Sequence, residues 1–218
     1  CDAILHLLRC FDDDNVVHVD GSVNPIRDKE IIDTELQLKD LETIETRLPK
    51  VEKAAKSGGD RDAKAMLEIL KKYKTVLEQG KSARTVTFES KDDIKLAKEL
   101  CLLTAKPVLY VCNVDEKSAV NGNKYTEQVE KIAKEEGAEI LIVAAKIESD
   151  IAEFETLEEK QMFLEELGLE ESGVARLIKK AYHLLNLQTY LTAGVQEVRA
   201  WTFTKGWKAP QCAGVIHT

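Results

Sequence analysis

No apolar run in the sequence approaches the roughly 18 consecutive residues that a membrane-spanning helix needs, so we expect no membrane partner. The 218 residues include only 4 Pro and 11 Gly, which excludes collagen-like, mucin-like and low-complexity classes. Instead, 44% of the residues are hydrophobic and 32% are charged. A chain of this length and composition can bury a core without cross-links and holds one large domain or two small ones.

The cysteines, 5 in number, form no Cys-x-x-Cys pair, and the 4 histidines are scattered. Structural zinc sites need closely spaced ligands, and secreted disulfide frameworks use even numbers of cysteines. The sequence therefore predicts a reduced, cytoplasmic protein with mostly buried thiols, and it offers no metal-ligand set. A net charge of -8 argues against a general nucleic-acid coat but leaves room for a local basic patch.

Residues 27–104 are highly charged and predict helices. Apolar residues recur there at alternating spacings of three and four, as in a seam between packed helices; the two series are Leu41, Ile44, Leu48, Val51 and Ala55, and then Met66, Ile69, Tyr73 and Val76. Residues 57–60 (SGGD) separate the series, which predicts an antiparallel helical hairpin. Pro49 lies inside the first helix, where we expect a kink or a short break. Residues 91–104 predict a further helix.

The next segment has the pattern of an α/β fold. Residues 108–112 (VLYVC) and 139–145 (EILIVAA) are apolar and predict buried strands, and residues 124–136 between them predict an amphipathic helix ended by Gly137. A strand, a helix of a dozen residues and a strand predict a βαβ unit with a parallel sheet and a right-handed crossover.

The flanking segments give simpler predictions. Apolar spacing in residues 2–11 predicts a helix, and residues 15–19 predict a strand that ends in a turn at Asp20 and Gly21. Residues 150–171 are acidic, residues 173–187 predict a helix with one apolar face, and residues 195–218 have the composition of β-structure.

Polar residues follow both predicted strands of the βαβ unit, where ligands bind in open parallel sheets. They are Asn113-Val114-Asp115-Glu116 and Ala144-Ala145-Lys146. Domains that bind guanine nucleotides carry Asn-Lys-x-Asp and Ser-Ala-Lys in these two loops. Glu116 is one methylene longer than the usual Asp, so its carboxylate should not fit the guanine edge in the same way. We therefore expect base choice to relax or reverse towards adenine, although Asp115 offers a competing carboxylate one residue earlier.

Other parts of a nucleotide-hydrolase site are missing from the sequence. A phosphate loop of the form Gly-x-x-x-x-Gly-Lys-Ser/Thr does not occur, and neither Ser-His-Asp nor Cys-His arrangements can be recognised. Because a nucleotide hydrolase of this type uses that loop for phosphates and Mg²⁺, we expect at most the base-binding half of a site. No catalytic residue can be named.

The segments together resemble one family. They are DAILHLLRCFDD (2–13), NVVHVDG (15–21), NVDE (113–116), AAKIESDIAE (144–153), LLNLQTYLTAG (184–194), EVRAWTF (197–203) and AGVIHT (213–218). With the helical insertion in between, the chain resembles the Obg-like ATPase family, known in bacteria as YchF. The resemblance covers essentially the whole chain, and the NVDE loop is itself a family hallmark. It implies a ribosome-binding P-loop NTPase that hydrolyses ATP in preference to GTP.

The resemblance also implies an organisation of the chain. Residues 1–26 and 105–186 would be the base-binding portion of a G domain, residues 27–104 a coiled-coil insertion, and residues 187–218 the start of a β-grasp TGS domain. The phosphate loop and the Mg²⁺ ligands would lie upstream of this chain. Carried over to matching positions, Asn113, Val114 and Glu116 contact the base of ATP or GTP, with Ala144 and Ala145 behind it. We expect a monomer.

Two sets of basic residues are candidates for ribosome or ribosomal RNA contact. The hairpin holds 17 Lys or Arg against 16 Asp or Glu, so it is either a solvated coiled coil or an arm that binds through local patches. The candidate residues are Lys50, Lys53, Lys56, Lys71, Lys72 and Lys74 in the hairpin, and Arg199, Lys205 and Lys208 near the C-terminal end. Trp201 and Trp207 either stack on bases or pack in a core.

Two functions remain open at this stage. The intact protein is either an ATP-hydrolysing switch that docks on ribosomes, or a GTP-dependent RNA- or ribosome-binding scaffold in which nucleotide is mainly a structural ligand. The family is also linked with oxidative stress, which makes the cysteines candidates for redox chemistry, although buried thiols are normally inert.

Overall fold

The computed structural model describes residues 1–16, 21–57 and 61–216. Two compact units are present, one formed by Cys1–Pro25 with Val108–Thr218, and the other by Ile26–Pro107. No helix within the described ranges is long and apolar enough to cross a membrane. The first unit carries the sheets, and the second is the helical insertion.

The first unit is built on a parallel sheet. Its strands are β1 (Ile4–Arg9), β2 (Val108–Asn113) and β3 (Glu139–Val143), in the order β1-β2-β3. The helix α4 (Lys124–Glu136) makes the crossover from β2 to β3 and packs on one face, while α7 (Gly173–Leu184) packs on the other. The α/β fold with a parallel sheet and a helical insertion is therefore confirmed.

Alternation along β2 explains why both faces of the sheet are covered. Leu109 and Val111 point to the face that packs against Leu177 and Leu184 of α7. Tyr110 points the opposite way, is fully buried, and donates a hydrogen bond of 2.5 Å to Glu136 at the end of α4. A strand buried on both faces needs the continuous apolar run that the sequence has at this position.

The helical prediction for residues 2–11 is wrong, because these residues form the strand β1. Burial along β1 alternates with a period of two: His6 and Leu8 are buried, whereas Leu5 and Leu7 are exposed. The apolar spacing that resembled a helix combined residues from opposite faces of a strand. Pairing with β2 over all six residues of β1 decides the structure.

The predicted strand at residues 15–19 lies partly outside the described residues. Asn15 and Val16 lie in a turn and a bend, and residues 17–20 are not among those described. Between β3 and α7 the chain forms two short helices, α5 (Ala145–Glu153) and α6 (Leu157–Glu166), in the acidic segment. The strand prediction for residues 139–145 is therefore too long by two residues, because Ala145 begins α5.

After α7 the chain forms an antiparallel pair, β4 (Leu187–Ala193) with β5 (Val198–Thr204), followed by the helix α8 (Ala209–Ile216). Asn186 has a left-handed φ of 54°, and this ends the helical segment before β4. The β-like prediction is correct for β5 but wrong for α8. Valine and isoleucine near the C-terminal end suggested a strand, but only a propensity supported that prediction.

The second unit contains the helices α1 (Pro25–Lys56), α2 (Arg61–Glu78) and α3 (Lys91–Glu99). The first residue of α1, Pro25, belongs to the first unit. The first two helices are antiparallel, since Lys74 pairs with Glu45 at 3.2 Å and Gln37 donates to the carbonyl of Gly80. Predicted seam residues form its core: Ile44, Ile69 and Tyr73 are buried. The hairpin prediction is therefore correct, and α3 ends five residues earlier than expected.

No break occurs at Pro49, since α1 runs continuously through this residue. Pro49 removes one backbone donor, whose acceptor would have been the carbonyl of Glu45. Both residues are exposed, so water can bind that carbonyl.

Asp40 ties the first helix of this unit to the segment that follows α3. It is buried in α1 and accepts three hydrogen bonds of 2.7 Å, from the amides of Leu103 and Thr104 and from the hydroxyl of Thr104.

Candidate functional site

Three loops leave the same edge of the parallel sheet, where the strands β1, β2 and β3 end. The backbone ladder extends one residue beyond the strands: the amide of Cys10 donates to the carbonyl of Asn113 at 2.8 Å, and the amide of Val114 donates to the carbonyl of Val143 at 2.9 Å. The sheet therefore holds the loops after β2 and β3 side by side, as the βαβ pattern predicted.

Asn113 joins these two loops through its side chain. Its Oδ1 accepts a hydrogen bond of 3.0 Å from the amide of Ala145, the first residue of α5. Within the described part of the chain, Nδ2 of Asn113 has no hydrogen-bond partner, so the two hydrogens of this amide remain available to a ligand at the sheet edge. Asn113 is thus both a structural bridge and a candidate donor.

Glu116 and Lys146 form an ion pair across the same two loops, with Oε1 and Nζ separated by 2.6 Å. The hydrogen bond from Lys146, and then the attraction between the two charges, raise the pKa of Lys146 above its usual value. The side chain of Glu116 is 45% exposed and that of Lys146 is 75% exposed. Because such an exposed pair contributes little to folding, its main effect is to direct the Glu116 carboxylate along the edge.

The competing carboxylate, Asp115, has a different use. It is the N-cap of a short 3₁₀ turn at Glu116–Ser118, where its Oδ1 accepts a hydrogen bond of 3.1 Å from the amide of Ser118. A capping side chain satisfies a backbone donor that would otherwise have no partner. The structure therefore leaves Glu116 as the carboxylate that is free to face a ligand, together with the Lys146 ammonium.

The remaining predicted site residues differ in accessibility. The side chains of Val114 and Ala144 are buried, with 3% and 4% of their surface exposed. Neither residue offers a side chain to a ligand, and the amide of Val114 and the carbonyl of Ala144 are already bonded to Val143 and Glu148. Ala145 is exposed, but its amide is used by Asn113. The positions predicted from the loops therefore meet in space, with Asn113 and Glu116 supplying the accessible side-chain groups.

Two residues that support the site were missed from the sequence. Asn123 caps α4 and also donates a hydrogen bond of 2.7 Å to the carbonyl of Cys10, which ties the helix to the loop after β1. Glu148 of α5 accepts hydrogen bonds from the amides of Gly173 and Val174 at the start of α7. The capping position of Asn123 before an amphipathic helix was a detectable signal, whereas the pairing of Glu148 with a segment 25 residues away was not.

The basic candidates of the hairpin fall into two groups. Lys50, Lys53 and Lys56 lie exposed in the last two turns of α1, and none of them pairs with a carboxylate within the described residues. Lys71 and Lys74 of α2 pair with Glu68 and Glu45. The ammonium of Lys72 lies 5.6 Å from the ring of Phe88. The end of α1 is therefore the more accessible basic surface.

The C-terminal candidates Arg199, Lys205 and Lys208 are all exposed. The guanidinium of Arg199 lies 4.1 Å from the ring centre of Trp201, whose indole nitrogen donates a hydrogen bond to Thr192. Trp201 is thus held on the hairpin β4–β5 by two contacts. Trp207 is 41% exposed, so of the two tryptophans it has the freer ring surface.

Within the described ranges, the cysteines and the acidic residues form neither an activated buried thiol nor a metal site. Cys10 and Cys112 are buried next to each other, and the hydrogen bond that the Cys112 thiol makes to Cys10, together with burial, raises the pKa of Cys112. This disfavours the reactive thiolate. Cys1 and Cys101 are exposed. Across residues 1–16, 21–57 and 61–216, no group of three or more His, Cys, Asp or Glu side chains is arranged to hold a metal ion.

The whole chain aligns with curated proteins. It is 55% identical over 219 residues to a protein of Bacillus subtilis (strain 168) named ribosome-binding ATPase YchF. The chain belongs to the YchF, or Obg-like ATPase, family. Its similarity extends to eukaryotes, since Obg-like ATPase 1 of Xenopus laevis is 41% identical over 224 residues.

Structural comparison agrees with this assignment to the YchF family. The YchF GTPase of Schizosaccharomyces pombe superposes with a TM-score of 0.84 at 36% identity, covering 99% of this chain and 58% of that one. The family YchF-GTPase_C, described as a protein of unknown function (DUF933), matches residues 187–218. All of this chain aligns, but it spans 59% of the Bacillus relative and 56% of the Xenopus relative.

Proposed function

We propose that the full-length protein is a ribosome-associated nucleotide hydrolase that converts ATP to ADP and phosphate, in preference to GTP, as a conformational switch. Support comes from its relatives, which are named ribosome-binding ATPase YchF and Obg-like ATPase 1, and from a structural neighbour named a GTPase. The observation that carries the proposal is the edge at which Asn113, Glu116 and Lys146 meet.

The side chains at this edge complement the hydrogen-bond donors and acceptors of adenine. Adenine offers an acceptor at N7 and a donor at its 6-amino group, whereas guanine offers acceptors at both N7 and O6. The side-chain amide of Asn113 can donate to N7, and the Glu116 carboxylate can accept from the 6-amino group. Val114 stands where guanine-binding domains carry Lys, and its side chain is buried, so it contributes no competing donor.

We place the phosphates and Mg²⁺ on residues outside this chain, because its sequence has no phosphate loop. Bound Mg²⁺ would neutralise charge on the phosphates of the nucleotide. The role proposed for this chain is to bind and orient the base. In that account residues 1–26 and 105–186 are the G-domain portion, residues 27–104 the coiled-coil insertion, and residues 187–218 the beginning of the TGS domain.

Ribosome contact is proposed for the basic end of α1. Lys50, Lys53 and Lys56 are exposed and unpaired within the described residues, so a polyanion can bind them without first breaking an ion pair. In the full-length protein, reversing all three to Glu should weaken co-sedimentation with ribosomes and reduce its dependence on salt. The matched control reverses Lys91, Lys95 and Lys98, which are exposed on α3. If the α1 variant co-sediments with ribosomes as well as the α3 control does, the basic end of α1 does not contact the ribosome.

The second candidate function is a GTP-dependent RNA- or ribosome-binding scaffold. It is favoured by the exposed Arg199, Lys205 and Lys208 and by the exposed ring of Trp207, which would suit contact with RNA. Turnover of ATP by the full-length protein, measured with and without ribosomes, separates the two. The switch predicts ATP hydrolysis that ribosomes change, whereas the scaffold predicts ribosome binding with negligible turnover in either condition.

A further inference from the structure

A shallow groove of about 800 Å³ lies beside α6, and its lining includes none of the residues Asn113, Glu116 and Lys146 of the base edge. Its floor contains Leu164 and Ile151, which are nearly buried, and its open side carries Leu157 and Met162, which are 84% and 70% exposed. Within the described residues, two large apolar side chains of one short helix are therefore mostly exposed, and such apolar patches mark interaction sites.

The rim of this groove is strongly acidic. Glu158 and Glu165 of α6 and Glu170 and Glu171 of the following loop line it, against one cation, Lys160. Glu171 pairs with Lys179, and Glu165 accepts a hydrogen bond from Gln161. Glu158 and Glu170 have no ion-pair or hydrogen-bond partner within the described residues, so two carboxylates beside an apolar floor are left to water.

This combination selects a class of ligand. The carboxylates repel RNA phosphates and anionic lipid headgroups, and the apolar side chains would gain nothing from a purely hydrophilic chain. A helix with one apolar face and flanking Lys or Arg residues satisfies both features, because its apolar side chains can cover Leu157 and Met162 while its cations pair with the carboxylates. Charge complementarity then adds specificity and speeds association.

We propose that this groove of the YchF-family chain binds a basic amphipathic segment of a partner protein, through Leu157 and Met162 in the groove and Glu158 and Glu170 on its rim. The residues that line this groove are different from those of the base edge and from Lys50, Lys53 and Lys56. The proposal therefore stands or falls independently of the proposed ATPase function.

The test uses the full-length protein and a fluorescein-labelled helical peptide of about 14 residues, with Leu on one face and Lys elsewhere. Two further peptides serve as probes, one with the same composition scrambled to remove the apolar face and one with Glu in place of Lys. Fluorescence anisotropy at physiological salt should show binding of the first peptide at least about tenfold tighter than of the other two. Equal binding of the scrambled peptide would overturn the proposal, because it would indicate general attraction to an acidic chain.

Two double variants locate the site. Leu157→Ser with Met162→Ser removes exposed apolar groups, and Glu158→Gln with Glu170→Gln removes rim charge; each should weaken binding at least about tenfold. The matched controls are Leu191→Ser with Val198→Ser, which are exposed apolar residues of β4 and β5, and Glu127→Gln with Glu135→Gln on α4. The proposal is overturned if the controls lose as much affinity as the test variants, if the test variants bind normally, or if single-stranded RNA or anionic vesicles displace the peptide by binding the groove.

Discussion

The ammonium of Lys146 lies 2.6 Å from the carboxylate of Glu116, and this pair joins the loop after β2 to the loop after β3. Both residues stand at the edge where parallel sheets bind ligands. Asp115, the neighbouring carboxylate, is occupied as a helix cap. The pair therefore orients the Glu116 carboxylate along the edge at which we propose that the base binds.

Replacing Lys146 should change base selectivity more than stability. In the full-length protein, Lys146→Met should reduce the preference for ATP over GTP by about threefold to tenfold, since the Glu116 carboxylate loses the partner that orients it. The free energy of unfolding should stay close to that of wild type, as expected for an exposed ion pair. Nucleotide titrations and urea unfolding measure the two effects.

Lys117→Met is the matched control, because Lys117 is exposed in the same loop and forms no ion pair within the described residues. It should leave both the ATP:GTP ratio and the stability unchanged. If Lys117→Met and Lys146→Met shift the ratio equally, general electrostatics and not the Glu116 pair determines base choice.

Asp40 should be the most sensitive acidic residue of the helical insertion. Asp40→Ala leaves the amides of Leu103 and Thr104 without their acceptor in a buried region. Unsatisfied buried donors cost about 1–3 kcal/mol each, so we expect about 3 kcal/mol of destabilisation. Hydrogen exchange should show faster exchange of these two amides in particular.

Glu42→Ala provides the comparison for Asp40, since Glu42 lies on the same helix and its pair with Lys39 is exposed. The loss of stability from Glu42→Ala should be much smaller than that from Asp40→Ala, because an exposed ion pair contributes little. Similar losses from both substitutions would show that helix propensity, and not the buried hydrogen bonds, explains the result.

Glu139 should contribute to stability at neutral pH and lose that contribution in acid. The hydrogen bond from Lys180 at 2.7 Å lowers the pKa of Glu139, and a bond from His183 adds to this against the opposing effect of burial. A lowered folded-state pKa stabilises above the unfolded carboxyl pKa of about 4.3, and the effect disappears as the pH falls through the lowered value. Thermal unfolding of wild type and Glu139→Gln should therefore differ at pH 7 and converge as the pH falls through the lowered pKa. The matched comparison is Glu135→Gln, an exposed glutamate of α4. A constant difference for Glu139→Gln would contradict the assignment.

The sequence predicted the parts of the fold in which pattern and packing agree. Residues 108–112 are apolar because β2 is buried on both faces, and the spacing of Ile44 and Ile69 matches their place in the hairpin core. The strand β1 was missed because its apolar residues happen to occur at helical spacing while Leu5 and Leu7 are exposed. Only pairing with a strand about 100 residues later distinguishes the two, and pairing over that distance is not encoded locally.

The same distinction applies to the candidate site. The loops at Asn113 and Ala144 follow from the βαβ pattern, which places the ends of neighbouring strands together. The pairing of Lys146 with Glu116, the cap formed by Asp115 and the tie from Asn123 to Cys10 depend on loop geometry. Several polar side chains in each loop could have formed such bonds, so residue types alone did not decide among them.

The most direct test of the account is the ratio of GTP to ATP dissociation constants for the full-length wild-type protein and its Glu116→Asp variant. Wild type should bind ATP more tightly, and the shorter carboxylate should lower the ratio at least about tenfold towards GTP. A wild-type preference for GTP, or a ratio that Glu116→Asp leaves unchanged, would contradict the role assigned to Glu116.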